Sequence, residues 1–439
     1  MKIIYYLILI VLTLGCTMDH KENNSTDWIN NLTIYEVNLR QYTPQGTIRA
    51  FREHLPRLKS LGVGILWFMP IHPIGTVNRK GTLGSYYSIQ NYYGINPEFG
   101  TLNEFKSLVN EIHEMGMYVI LDWVANHTAW DNPMADEHPE WYTKNHEGNF
   151  QPPAGTNWDD VIELDYSNDN LRAYMTAAMK YWIREVNIDG FRCDVAGMVP
   201  TDFWESVIPE LGKIKPMFML AEWEDPELLE NAFHADYNWG LYHILKDIAA
   251  GEKEFYEIQK YYQAPPKSYP INALRMNFLD NHDENSWSRV MSNHFGKNLY
   301  PLLTIIFTLP GMPMIYSGQE AQLNKQLKFF DKDTIIWGDA PDSKFYQKLI
   351  SLRKRHKVFW NTNHNLKFMG NLPPGLVGFK RWNKDDSFQI VVNLSEQDQE
   401  LDPGLIDGSI LLGDGISQKT TIARHGYLVC NNDQQSLTN

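Results

Sequence analysis

Seven short apolar runs punctuate the first three quarters of the chain. They read LTIYEVNL (32–39), VGILWFM (63–69), MYVILD (117–122), NIDGFRCD (187–194), MFMLAE (217–222), ALRMNF (273–278) and MPMIYS (312–317). Runs that are apolar on both faces mark strands buried in a parallel sheet, whereas strands wetted on one side alternate. A weaker run near 232–237 brings the number to eight. Amphipathic helical patterns lie between the runs. From 101 to 115, Thr101 and Glu104 stand in capping-box spacing; Leu102, Phe105, Leu108, Val109, Ile112 and Met115 share one face, and Gly116 stops the helix. Behind Asp169 a second helix carries Leu171, Tyr174, Met175, Ala178, Trp182, Ile183 and Val186. Strand and helix alternating in this way predict an α/β protein built on a (β/α)8 barrel, the TIM-barrel architecture.

Two stretches depart from the alternation. Between the third and fourth strands, 127–168 is too long for a loop and a helix, and it is rich in Trp, Pro, Asn and Asp. It reads as a short excursion over the barrel mouth. After the helical SKFYQKLISLRKRHKVF the pattern changes to short alternating strands such as GLVGFKRW and FQIVVNL, separated by turn residues. This predicts an antiparallel β-domain over 362–439, leaving 28–361 for the barrel.

The N-terminus reads as a processing signal. MKIIYYLILIVLTLGC has one Lys and an apolar run too short to span a bilayer comfortably. Its TLGC ending is similar to a bacterial lipobox, with Thr13 where Leu is commoner. The expectation is a signal peptide over 1–16, a lipidated Cys16 that attaches the protein to a membrane, and a polar tether over 17–27. That makes an exported lipoprotein, periplasmic or at the cell surface, on the outer membrane. Cys193 and Cys430 then remain, too few and too far apart for a disulfide framework.

Charge narrows the partner. The chain has 439 residues and a net charge of -14 with no basic block, which argues against nucleic acid and anionic lipid as partners and favours a small neutral substrate. Aromatic residues reach 13%, with 14 Trp. Such rings suit a ligand with an apolar face and a hydroxylated edge, although most of them belong in a core.

Chemistry concentrates at the strand ends. Barrel active sites sit at the C-terminal ends of the strands, where Asp122, Asp194, Glu222 and Asp283 all fall. In GFRCD, Arg192 and Asp194 point to the same face of one buried strand, so they either form a salt bridge or line a site. Four acids on one rim favour the site.

The motifs DWVANH (122–127), GFRCD (190–194), AEWE (221–224) and NHD (281–283) resemble the four ordered signature regions of the α-amylase superfamily, glycoside hydrolase family 13. LDY (164–166) is similar to its weaker fifth region, and YEVNLRQY and NPEFGT also resemble it. The resemblance implies a catalytic barrel, a domain B at about 127–168 and a C-terminal β-domain. It implies Asp194 as nucleophile, Glu222 as general acid/base and Asp283 as a third carboxylate that binds sugar hydroxyls. His127 and His282 would hydrogen-bond the sugar at the cleavage point, and Tyr87 would stack beneath it. Asp122 would orient Arg192, which holds Asp194 ionised. Trp223, with Trp123, Trp130, Trp158 and Trp287, would be a stacking platform. Retaining glycoside hydrolysis requires such a pair, one ionised carboxylate to attack and one protonated acid to release the leaving oxygen, with carboxyls about 5 to 5.5 Å apart.

The departures from the family also carry information. Many amylases place Lys-His three and four residues after the nucleophile, and here Gly197 and Met198 stand there. That weakens both the outer sugar subsite and the family's calcium site. Asn126 matches a calcium ligand, so a structural calcium is admitted there, but no cofactor is required for the chemistry. The leading reading is a retaining hydrolase of α-1,4-linked glucans or malto-oligosaccharides. The alternative is a transglycosylase sharing the same intermediate, which longer products from maltoheptaose alone would reveal. A non-catalytic glycan-binding relative ranks last, since all three acids are present. Preferred linkage, internal or terminal cleavage and oligomeric state are not set by motifs.

Overall fold

The computed structural model describes residues 26–270, 273–360, 365–402, 404–417 and 420–432. Cys16, the leader 1–16 and residues 17–25 of the tether lie outside the described residues, as does the start of the β-domain at 362.

Three strands open the fold: β1 (Ile34–Val37), β2 (Ile65–Phe68) and β3 (Tyr118–Trp123). The excursion follows with β4 (His127–Ala129) and β5 (Val161–Glu163), which pair antiparallel as a sheet of their own. The chain then supplies β6 (Gly190–Cys193), β7 (Phe218–Ala221), β8 (Ala235–Tyr237), β9 (Leu274–Asn277) and β10 (Met312–Tyr316). The barrel closes in the order β1-β10-β9-β8-β7-β6-β3-β2, with every neighbouring pair parallel. All eight apolar runs therefore became barrel strands. The weak one, β8, is only three residues long, which leaves it little pattern to show.

The helices fit their signals with small shifts. Leu102–Glu114 is capped by the reciprocal Thr101 and Glu104 hydrogen bonds. Asp169–Val186 is capped by Asn168, whose side chain accepts from the amides of Asn170 and Leu171, so Asp169 is already inside the helix. Asn187 ends that helix in the left-handed region at φ 63°, which delays β6 to Gly190. Gly190 has φ 150°, and a Cβ there would stand 1.8 Å from the carbonyl oxygen of Phe218 on β7. Only glycine lets the two strands meet at this point.

Beyond the helix Ser343–Arg355 the chain forms β11 (Asn365–Phe368), β12 (Leu376–Trp382), β13 (Ser387–Asn393), β14 (Gln399–Glu400), β15 (Ser409–Ser417) and β16 (Thr421–Asn431). They make an antiparallel sheet in the order β11-β12-β13-β16-β14, with β15 also on β16. Buried Arg381 on β12 fastens this sheet to the barrel, donating to the carbonyls of Thr308 at 2.7 Å and Val358 at 2.8 Å. Cys193 and Cys430 are both buried and not disulfide-bonded. Among the described residues, no helix is long and apolar enough to cross a membrane.

Candidate active site

Arg192 organises the floor of the barrel mouth. Strands β3 and β6 pair so that Asp122 and Arg192 lie side by side, both with no exposure to solvent. Arg192 Nη1 donates to Asp122 Oδ1 at 2.7 Å and to Asp194 Oδ1 at 3.0 Å. Its Nη2 stands 2.7 Å from Glu222 Oε1, just past the end of β7. Its Nε donates to Tyr237 Oη at 3.1 Å, and the guanidinium lies 5.0 Å over the Trp67 ring. One cation thus binds three carboxylates, where the sequence reading had paired it with Asp194 under the guidance of Asp122.

That division changes the charge state. Burial lifts Asp122 to about 6, with Arg192 pulling it back only in part. Burial, and then the Glu222 carboxylate, push Asp194 well above the ordinary carboxylate range in spite of Arg192. A single positive charge is shared among three acids, so Arg192 offsets only part of what burial does to Asp122 and Asp194.

The turn after β6 aims the acids. Val195 adopts φ 36° and ψ 49°, an unfavourable conformation for a β-branched residue. Held there, its amide donates to Glu222 Oε2 at 2.8 Å. Glu222 is thereby fixed through both oxygens, one on Arg192 and one on the backbone that follows Asp194.

The two histidines are in opposite states. His127 is pushed down to about 3 by burial, and its Nδ1 lies 3.3 Å from the Asn126 amide nitrogen. An amide nitrogen can only donate, so Nδ1 accepts and Nε2 carries the proton. For His282, burial favours the neutral ring, but Asp283 and then Glu36 overcome it and raise the pKa to about 9. Its Nδ1 contacts Glu36 Oε1 at 2.5 Å, and its Nε2 lies 2.8 Å from Tyr87 Oη and 3.4 Å from Asp283 Oδ2. Tyr87 Oη in turn donates to Asp122 Oδ2 at 3.1 Å. A continuous line of hydrogen bonds runs from Glu36 through His282, Tyr87 and Asp122 to Arg192. Glu36, at the end of β1, was missed in the sequence because it is one acid in a mainly apolar run.

Above this floor is a cavity of about 710 Å³, lined by Tyr87, His127, Asp194, Glu222, His282 and Asp283. Trp158 and Trp287 also line it, as do Phe329 and Phe330. Phe329 continues the Tyr87 ring at 6.3 Å and 11°. The two phenylalanines carry no signal in the sequence that separates them from core residues.

Comparison with known proteins fits this geometry. Residues 19–215 match the family described as "Alpha amylase, catalytic domain". The crystal structure of an alpha-amylase from Lactobacillus plantarum superposes with a TM-score of 0.83 at 32% identity, covering 92% of this chain and 99% of that one. The chain belongs to the α-amylase family. A noncanonic maltogenic alpha-amylase from Thermotoga neapolitana superposes with a TM-score of 0.79 at 31% identity, covering 92% of this chain and 97% of the other. Alpha-amylase 2 of Dictyoglomus thermophilum is 26% identical over 393 residues, 83% of this chain. The match spans 66% of that relative, slightly under two thirds of its length.

Within this α-amylase fold, several residues named from the sequence stand apart from the cavity, Asp122, Asn126, Arg192 and Trp223 among them. Arg192 lies beneath it, fully engaged by the acids. Trp223 is 37% exposed and packs on Gly197, where a Cβ would come 2.2 Å from the indole. The strand ends at Ala221, and the chain bends at Glu222 and Trp223, which leaves the indole against Gly197 and not in the cavity lining. The indole fills the space beside position 197 that a side chain there would need. Asn126 lies against the His127 ring, and among the described residues no group of three or more His, Cys, Asp or Glu side chains is placed to hold a metal. Of the other tryptophans, Trp123 is fully buried among Tyr92, His72 and Phe191, and Trp130 donates to the Asp159 carbonyl at 2.9 Å. Trp158 and Trp287 alone of the five line the cavity.

Proposed function

We propose that this protein is a retaining hydrolase of α-1,4-linked glucans or malto-oligosaccharides. The observation that carries the reading is the single Arg192 guanidinium bound to both Asp194 and Glu222 beneath an aromatic cavity. In the reactive state Glu222 carries the proton and delivers it to the glycosidic oxygen as the bond breaks. Asp194, now ionised on Arg192, attacks the anomeric carbon and forms the glycosyl-enzyme ester. Water then enters, gives its proton back to Glu222, and releases Asp194 with the α-configuration restored. Cationic His282 and neutral His127, with Asp283, hold hydroxyls of that sugar, while Tyr87 lies against its face. No metal takes part in a step. Asp194→Asn and Glu222→Gln keep shape and hydrogen bonding but remove the nucleophile or the proton, so each lowers kcat by roughly a thousandfold or more. Proton NMR of the first sugar released from maltoheptaose shows the α-anomer before mutarotation; an initial β-anomer overturns the role of Asp194.

The same proposal includes export and attachment through a lipidated Cys16, supported by the apolar run ending in Gly15-Cys16 and the polar residues after it. Mass spectrometry of the native N-terminus reads this directly. A cleaved, unmodified Cys16 rejects the anchor, and an intact Met1 in the cytoplasm rejects export.

A further inference from the structure

The loop after β2 crosses the cleft from one wall to the other. Its base is stapled by Arg79, which donates to the carbonyls of Gly75 at 2.8 Å and Ile74 at 3.0 Å. On one side Thr82 binds Asp331 through its amide at 2.9 Å and its hydroxyl at 2.7 Å, and the Leu83 amide donates to the Phe330 carbonyl at 2.9 Å. Gly81 sits so close to this wall that a Cβ would stand 2.5 Å from Phe330 Cβ, and its φ is 62°. On the other side Lys80 donates to the Asn157 carbonyl at 2.9 Å and pairs with Asp160 at 3.0 Å, and both acceptors belong to the excursion. Thr76, nearer the base, binds Asp131 of the same excursion at 2.8 and 2.7 Å. Lys80, Asn157, Asp160 and Phe330 all line the same cavity as the acids. Four consecutive residues, Lys80 to Leu83, therefore join its two walls.

The position of this strap around the rim gives it a direction. Its anchors follow β10, β2 and β3, which are consecutive around the barrel once β1 is included. Glu222 follows β7, on the other arc. A proton donor stands on the side of the leaving group, so the strap closes the opposite end, where the chain extends beyond the attacked sugar toward its non-reducing terminus. Tyr87, on the strap's own loop, belongs to that same end. Asp160 has only 6% of its side chain exposed, so the ion pair with Lys80 is shielded from water more than a surface pair would be.

Resting on the hydrolase reading above, we infer that Lys80 and Asp160 are specificity-determining residues that wall off the glycone end of the cleft, so that the enzyme cuts near the non-reducing end of a malto-oligosaccharide and not at internal bonds. A chain end fits against the wall; a chain that continues, or an end carrying an added group, meets the strap.

The test uses two nitrophenyl maltoheptaosides, one free and one with its non-reducing glucose capped as a 4,6-ethylidene acetal. The full chain is expected to show kcat/KM at least tenfold lower on the capped substrate and to release one dominant short product from the free one. Lys80→Ala and Asp160→Asn are expected to narrow that gap several-fold, as a ratio of the two substrates on the same variant, and to broaden the product lengths. Equal rates of the unaltered enzyme on both substrates overturn the inference while leaving the hydrolase reading intact. A gap that persists unchanged in both variants overturns the assignment to Lys80 and Asp160. Absence of activity on the free substrate overturns the hydrolase reading, and this inference with it.

Discussion

The floor and the walls of the cleft are built on different principles. The floor is a set of strand-end side chains in fixed register, Asp122 beside Arg192 on neighbouring strands and Asp194 and Glu222 just beyond the ends of theirs. Its members have almost no exposure, and each is held by at least one charged partner. The walls are loops that touch through side-chain to backbone contacts across long sequence distances, such as Lys80 to Asn157 and Thr82 to Asp331. Trp287, at 58% exposure, stands free enough to turn. A rigid charged floor suits bond-breaking, which tolerates little displacement, while loop walls can change which substrate fits without disturbing the acids.

The largest effect that would test this division comes from Arg192. Replacing it with methionine leaves three buried carboxylates without their shared cation, and breaking a buried charge group in this way costs about 3 to 5 kcal/mol. Urea denaturation of Arg192→Met should show that loss at neutral pH, and activity should vanish. If Asp122 and Asp194 protonate instead, the deficit shrinks at acidic pH, because burial already favours their neutral forms. A stable variant with ordinary activity at neutral pH would mean that the floor is not held by this charge.

The same contrast explains what was legible in the sequence. Barrel strands buried on both faces announce themselves as apolar runs, and the acids that close those runs stand out, so eight strands and the residues Asp122, Asp194 and Glu222 could be read directly, while Asp283, beyond the end of its run, was read through the NHD motif. The walls could not. The excursion at 127–168 showed its length, but the strap at 80–83 is four residues inside another connection, and its partners lie some 77 to 249 positions away. Nothing local in Lys80 distinguishes it from a solvated surface lysine. The place of Trp223 was hidden for a related reason: adjacency to Glu222 suggested the cleft, and the bend after the strand sets its indole on Gly197. The sharing of Arg192 also depended on geometry, since one arginine beside one aspartate in sequence is, in the fold, one arginine among three acids.

A smaller effect separates the histidines, which sit where floor meets wall. His282 has a folded pKa of about 9 against about 6.5 unfolded, so its contribution to stability is fully present below about 6.5 and is lost as pH rises through about 9. Activity that depends on the charged ring should show an alkaline limb in the same range. Glu36→Gln removes one of the two carboxylates that raise this pKa and should move the limb toward neutrality, with little change near pH 6. His127, already neutral, contributes no limb there. A kcat/KM profile whose alkaline limb is the same in Glu36→Gln and in the unaltered enzyme would separate His282 from that titration.

The smallest effect belongs to Trp287 on the wall. Its ring packs against Phe329 at 5.1 Å and Phe330 at 5.6 Å and presents its remaining surface to the cavity. A sugar stacking there would be bound alike before and during bond cleavage, because the ring makes no contact with the floor acids. Removing such uniform binding raises KM and leaves kcat in place. Trp287→Ala should therefore weaken KM for maltoheptaose by roughly fivefold, corresponding to about 1 kcal/mol of aromatic contact, with kcat within about twofold. The split between the two constants carries the argument more than the size of the change. If kcat fell by powers of ten while the protein stayed folded, the ring would be acting on the transition state, and the separation of a reacting floor from selecting walls would have to be given up.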